Sequence, residues 1–189
     1  MINGGIQKSW ISLNVEVKRD WRWADQFFDS IKEILKQHFG NQIKVEIAPE
    51  ELDLEKATDY VLLNMDDGFV ACRVRKTEYH GRFADITIRS YRSSGSTTEL
   101  EKLAQGFGDY YFYGWGDPPT ISYYEIIDLH KCRPLIKIRY ELLKAGKLRE
   151  IPNLDKRTKF IAIKPESLNP YHARVAFKHT DIMLSDFLK

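Results

Sequence analysis

Five residues in the middle of the chain have the types that phosphate-ester chemistry needs. Asp59, Asp85 and Glu99 offer carboxylates, and Arg73 and Lys102 offer cations. Carboxylates attract a hard divalent cation such as Mg²⁺, which can orient a water and neutralise charge developing on a phosphodiester. A neighbouring arginine or lysine would stabilise that charge or position the attacking water. Whether these groups meet depends on the elements that carry them. Tyr60 to Met65 and Phe69 to Arg75 read as two strands around an Asp66-Asp67-Gly68 turn, a strong hairpin signal. A turn centred between Asp66 and Asp67 sets Asp59 opposite Val74. A loop containing Tyr79-His80-Gly81 then leads to a third strand, Phe83 to Arg89, which brings Asp85 beside the same Val74. A one-residue slip would turn the facing residues over. The competing reading is cross-strand ion pairing on a solvated face, worth only ~0.2–1 kcal/mol per pair.

A helix over residues 96–105 presents the remaining two groups. Ser96 with Glu99, or Thr98 with Glu101, fits a capping box, which accounts for one glutamate structurally. Lys102 follows Glu99 by one turn on the same side. After it come six aromatics among the nine residues Phe107 to Trp115. Such rings can stack on unpaired bases or pack in a core. Gly106, Gly108 and Gly114 follow a helix rather than a strand, so a dinucleotide loop is excluded by context. The chain has no phosphate-binding Walker loop, His-Glu-x-x-His, Gly-x-Ser-x-Gly or zinc-like cysteine spacing. His38, His80, His130, His172 and His179 are scattered. A nucleoside triphosphatase, zinc protease or serine hydrolase is therefore not expected.

The elements around this centre follow from periodicity. Ile11, Leu13, Val15 and Val17 alternate; Asp20 then caps a helix carrying Trp23, Phe27, Ile31, Ile34 and Leu35 at helical spacing, with Gly40 as its stop. Ile43, Val45 and Ile47 alternate like a strand. Gly116-Asp117-Pro118-Pro119 predicts a turn before a strand over residues 121–129. Beyond it, residues 135–143 suggest a helix after Pro134 that is broken at Gly146. Phe160 to Ile163 suggests a strand cut off by Pro165, and Ser185 to Lys189 closes the chain. Helices interspersed with strands indicate an α/β or α+β fold.

Length and composition agree. The 189 residues, 43% apolar and 30% charged, suffice for one core, with no run of the roughly 18 apolar residues of a membrane helix. The polar N-terminus lacks an apolar export signal, and Cys72 and Cys132 stand without partners at metal or redox spacing. A reducing, cytoplasmic setting is expected. The net charge of +2 conceals a division. Residues 1–129 hold 15 Lys/Arg against 21 Asp/Glu, whereas residues 130–189 hold 14 against 6. The expected organisation is an acidic core domain over 1–129 and a basic extension over 130–189, packed on or beside it. That extension either contacts an anionic partner or lies across its own acidic body. For an anionic partner the candidates are Lys131, Arg133, Lys137, Arg139, Lys144, Lys147 and Arg149.

A helix over 20–39, strands over 60–65, 69–75 and 83–89, a helix over 96–105 and a strand over 121–129 resemble the αβββαβ order of the PD-(D/E)XK nuclease superfamily. The resemblance covers about two thirds of the chain. It implies a restriction-endonuclease-like core, Mg²⁺ as cofactor and DNA as partner. In the motif, Asp59 is similar to the family's first acid. On the next strand, Val70-Ala71-Cys72-Arg73-Val74-Arg75, Arg73 stands where the family has its lysine and Ala71 where it has its second acid. Some members recruit an acid or lysine from elsewhere, which implies metal binding by Asp59, Asp85 and Glu99, with Lys102 or Arg73 supporting the charge. Others have lost catalysis, which implies a nucleic-acid- or protein-binding module. The stretch from Asp85 to Trp115, with its Thr-Ile-Arg-Ser and Tyr-Phe-Tyr-Gly-Trp runs, is also similar to uncharacterised proteins of phage and mobile elements, which names no activity.

Overall fold

In a computed structural model of the chain, residues 23, 25–49, 52, 56, 58–63, 68–80, 82–83, 85–154 and 156–178 are described. The expected alternating segment at 11–17, the Asp20 cap, the Asp66-Asp67 turn and the closing segment at 185–189 lie outside them. Apolar side chains three and four apart make Phe28–Phe39 a helix (α1), which buries Ile31 and Leu35 and stops at Gly40 as expected. Strands β1 (Lys44–Ile47), β2 (Tyr60–Leu63) and β3 (Gly68–Lys76) form an antiparallel meander. After β4 (Ile86–Arg92) and the helix α2 (Glu99–Gln105), strand β5 (Tyr110–Asp117) returns parallel to β3. Strand β6 (Thr120–Asp128) completes a hairpin with β5, and the helix α3 (Leu129–Lys144) follows. Strands β7 (Ile151–Pro152), β8 (Thr158–Ile163) and β9 (Arg174–Lys178) end the fold.

The molecule is a mixed α+β fold with two sheets. Six strands form the main sheet in the order β1-β2-β3-β5-β6-β9, and three form a second in the order β4-β8-β7. The main sheet is covered on both faces. Val70, Phe112 and Ile126 pack with Phe27, Ile31 and Leu35 of the α1 region. On the opposite face Ala71, Tyr111, Tyr113 and Trp115 meet Leu100 and Leu103 of α2, Leu135 and Ile136 of α3, and Ile161 and Ile163 of β8. A strand buried on both faces loses the alternation that would announce it. That is why the aromatic run 107–115 reads as a cluster in sequence and is a central strand in space. At its end, a Cβ on Gly116 would collide with the Thr120 carbonyl oxygen, so the β5–β6 turn has room only for glycine there.

Three sequence expectations change. The β2–β3 register pairs Tyr60 with Val70 and Leu62 with Gly68, three residues away from a turn centred between Asp66 and Asp67. Asp59 therefore falls level with Ala71, not Val74. The third strand begins at Ile86 and leaves the meander altogether, pairing with β8. The neighbour of Val74 on that side is Gly114 of β5, so Asp85 does not flank it. The chain beyond residue 129 joins both sheets. Its strand β9 extends the main sheet through β6, and β8 supplies the partner of β4. Helix α3 starts at Leu129 rather than after Pro134, with Asp128 accepting from the Lys131 N–H as its cap and Pro134 accommodated inside it.

The β6–β9 junction is held by a bidentate pair. The Arg174 guanidinium donates to both carboxylate oxygens of the fully buried Glu125, at 2.6 and 3.0 Å, and stacks over Phe177. Removing one partner of such a pair strands the other charge in the interior. Arg174→Ala is expected to lower unfolding free energy by about 3–5 kcal/mol, measured by urea denaturation.

Candidate functional site

The residues singled out by sequence divide in space into an internal network and an external cationic surface. The network begins with Arg73, whose position on β3 points it to the face covered by α2 and β4. Its guanidinium donates to Glu99 Oε2 at 2.7 Å and to the Thr87 carbonyl at 3.3 Å. The same Glu99 oxygen accepts the Arg89 backbone N–H at 2.9 Å, and its other oxygen accepts the Tyr111 hydroxyl at 2.8 Å. Thr87 and Tyr113 join their hydroxyls at 2.8 Å. One ion pair thus ties β3, β4, β5 and α2 together.

Electrostatics follow from that arrangement. Burial pushes the Glu99 carboxyl up, but the Arg73 charge and the Arg89 and Tyr111 hydrogen bonds outweigh it and hold the pKa below the ordinary 4.5. Burial and the Glu99 charge keep the Tyr111 hydroxyl protonated, and Glu99 opposes the effect of burial on Arg73, so the guanidinium stays charged. Helix α2 delivers Glu99 through a local device. The Thr98 side chain accepts the Glu101 N–H and fixes the first turn, so that glutamate 99 faces inward. Lys102, one turn on, is itself buried at 6% exposure in this helix.

Asp59 has a different task. It directly precedes β2, its N–H donates to the Val70 carbonyl, and its carboxylate accepts the Cys72 N–H at 2.5 Å. A side chain thereby continues the ladder where the β2 backbone has ended. Burial first, and then the Asp59 charge, raise the Cys72 thiol well above its usual range, which leaves it neutral and unreactive. Asp85 is half-buried just before β4, at the start of a second-sheet strand rather than in the main sheet. The structure therefore brings Arg73 and Glu99 together and separates Asp59 and Asp85 onto different sheets. Among the described residues, no three His, Cys, Asp or Glu side chains are placed to hold a metal ion. The Glu99 oxygens and the Asp59 carboxylate already have internal donors, so this set does not fit a Mg²⁺ centre.

The cations beyond residue 129 have the opposite character. Lys131, Lys137, Lys144, Lys147 and Arg149 are exposed, and Arg139 is half-buried. Arg133 is turned inward and donates to the Gly108 carbonyl at 2.9 Å, which supports the α2–β5 loop. Sequence reasoning missed the cations that β8 and its hairpin add: Lys156 and Arg157 are exposed at the turn, and Lys159 lies over the Tyr91 ring. Their signal was present in the charge run, but no local pattern joined them to α3. No described helix is long and apolar enough to cross a membrane.

Comparison with known proteins adds no relative. No family model, curated protein or solved structure matches the chain.

The network has a pH signature. Because the folded-state pKa of Glu99 is depressed, its stabilisation is present above the unfolded value. It is lost as pH falls through the folded one. Wild-type protein is expected to lose stability below about pH 4 more steeply than Glu99→Gln, compared by urea midpoints from pH 7 to pH 3. At neutral pH the Gln variant should be weaker by about 3 kcal/mol, since Arg73 loses its buried counter-charge.

Proposed function

We propose that this chain is a nucleic-acid-binding module on a nuclease-like frame, without a metal-dependent cutting centre. The carrying observation is a division of charge: the carboxylates a metal would need are engaged inside the fold, while the cations stand outside it. Residues 131–164 include eleven Lys and Arg against three Asp and Glu. Most of these cations are exposed, along α3 and around the β7–β8 hairpin. Such a surface neutralises backbone phosphates and releases their counterions.

Two features support the nuclease-like frame. With β4, which joins the second sheet, set aside, the order α1, β1, β2, β3, α2, β5 is αβββαβ with a different strand set from the one legible in sequence, and β5 lies parallel beside β3. We read Asp59, Ala71 and Arg73 as a degenerate form of the superfamily motif, because continuing the β2–β3 register sets Asp59 level with Ala71, with alanine in the place of the second acid. The guanidinium at position 73 holds Glu99 in an ion pair at 2.7 Å, so that acid serves the fold. Loss of catalysis with retention of the binding surface is the outcome consistent with this geometry.

The test is binding of a fluorescent duplex across a salt series. Affinity should fall linearly on logarithmic axes. Replacing exposed Lys137, Lys144, Lys147 and Arg149 by Gln should reduce the slope by about 3–4, at roughly 0.9 for each phosphate no longer neutralised. DNA should remain intact with Mg²⁺ or Mn²⁺ added. Metal-dependent cleavage abolished by Asp59→Asn would overturn the proposal, as would a salt slope unchanged in the quadruple variant.

A further inference from the structure

The most exposed large apolar side chain that the structure shows is Leu154, 96% accessible at the tip of the β7–β8 hairpin. A leucine so placed gains nothing from the fold, yet the described residues on either side of it are tied to one another by hydrogen bonds. The Asn153 side chain accepts the Leu154 N–H at 3.0 Å and donates to the Thr158 hydroxyl at 3.2 Å. The Asn153 backbone accepts the Lys156 N–H at 2.9 Å and donates to the Thr158 carbonyl at 2.9 Å. Lys156 adopts a positive φ of 57°, the left-handed conformation that closes such hairpins. The turn is thus preorganised to hold Leu154 outward. Exposed Ile151, 42% accessible, and Pro152 precede it in the same hairpin, and Arg149, Lys156 and Arg157 are exposed within that segment, outnumbering the acidic Glu150 and Asp155 of its sequence.

We propose that the β7–β8 hairpin is a wedge that enters duplex nucleic acid, with Leu154 inserted between base pairs. This inference rests on the nucleic-acid reading above and specifies its partner as a duplex. An apolar side chain on a rigid tip can part a base step and bend the helix, provided that cations beside it hold the flanking phosphates. The hairpin has both parts. Arg149, Lys156 and Arg157 supply sequence-independent attraction, and Leu154 supplies the insertion. Flexible pyrimidine–purine steps, which open most readily, would be the preferred place of entry.

The experiment uses the full chain and a duplex carrying 2-aminopurine at a central TA step, together with a donor–acceptor pair at its ends. Leu154 is almost wholly in solvent, so Leu154→Ala should unfold at the wild-type urea midpoint. Wild type should brighten the 2-aminopurine and shorten the end-to-end distance. Leu154→Ala should lose both signals and bind about tenfold more weakly, the scale of one aliphatic burial less the cost of opening the step. Lys156→Gln with Arg157→Gln should instead lower the salt slope by about 2. Duplex binding in which Leu154→Ala brightens and bends the DNA as wild type does would overturn the wedge while leaving the binding module intact. No salt-dependent binding by wild type would overturn both.

Discussion

The part-buried contact between Arg73 and Glu99 is the constraint around which the rest of the structure is arranged. A guanidinium and a carboxylate inside a protein cost several kcal/mol each to desolvate, and geometry must return that cost. Here the return comes from four elements at once: β3 provides the arginine, α2 the glutamate, β4 a carbonyl and an N–H, and β5 a tyrosine hydroxyl. Each group can be satisfied only when the others are in place. The network therefore sets where β4 and the second sheet meet the main sheet, a choice that apolar packing alone would leave loose. Buried polar networks are well suited to that kind of specification, because a shifted arrangement leaves unsatisfied groups behind.

The same constraint explains the chemistry. Carboxylates become useful to a metal when they converge with free oxygens on a cleft. In this fold Glu99 faces an arginine, and Asp59 completes a strand ladder. An arginine at position 73, always charged and forked, binds a carboxylate more completely than a lysine would. With Ala71 beside it, the strand holds a buried methyl group and an ion pair. Charge is left to act on the outside of the molecule, where α3 and the β7–β8 hairpin collect it.

The second sheet turns a run of basic sequence into a shaped surface. Residues 158–163 pair with β4, and this fixes the hairpin that projects Leu154 and its flanking cations. A basic segment lying freely across an acidic body would screen its charge against that body. Strand pairing instead anchors the backbone and leaves long side chains such as Lys147, Arg149 and Lys156 in solvent. Lys159 is the exception, bridging Glu150 at 3.1 Å and covering Tyr91.

Every element with a one-sided pattern was legible in the residues alone. Helix α1, the separate strands β1, β2 and β3, β6, the stop at Gly146 and the Pro165 boundary all carry local signals: apolar spacing against a solvated face, or a residue whose backbone ends an element. The division of charge was equally plain, because it is a count along the chain. The rest waited on the folded arrangement. Strand β5 is buried on both faces and so shows no alternation. In β4, Ile86, Thr87 and Ile88 are all buried, and its partner lies some seventy residues away, so no local pattern could separate it from the meander. The same holds for the candidate site. Sequence could name Asp59, Arg73, Asp85, Glu99 and Lys102, since residue type is visible in it. Which of them meet depends on a register and on a strand's choice of sheet, and both were settled by long-range pairing that offers each buried polar group a partner.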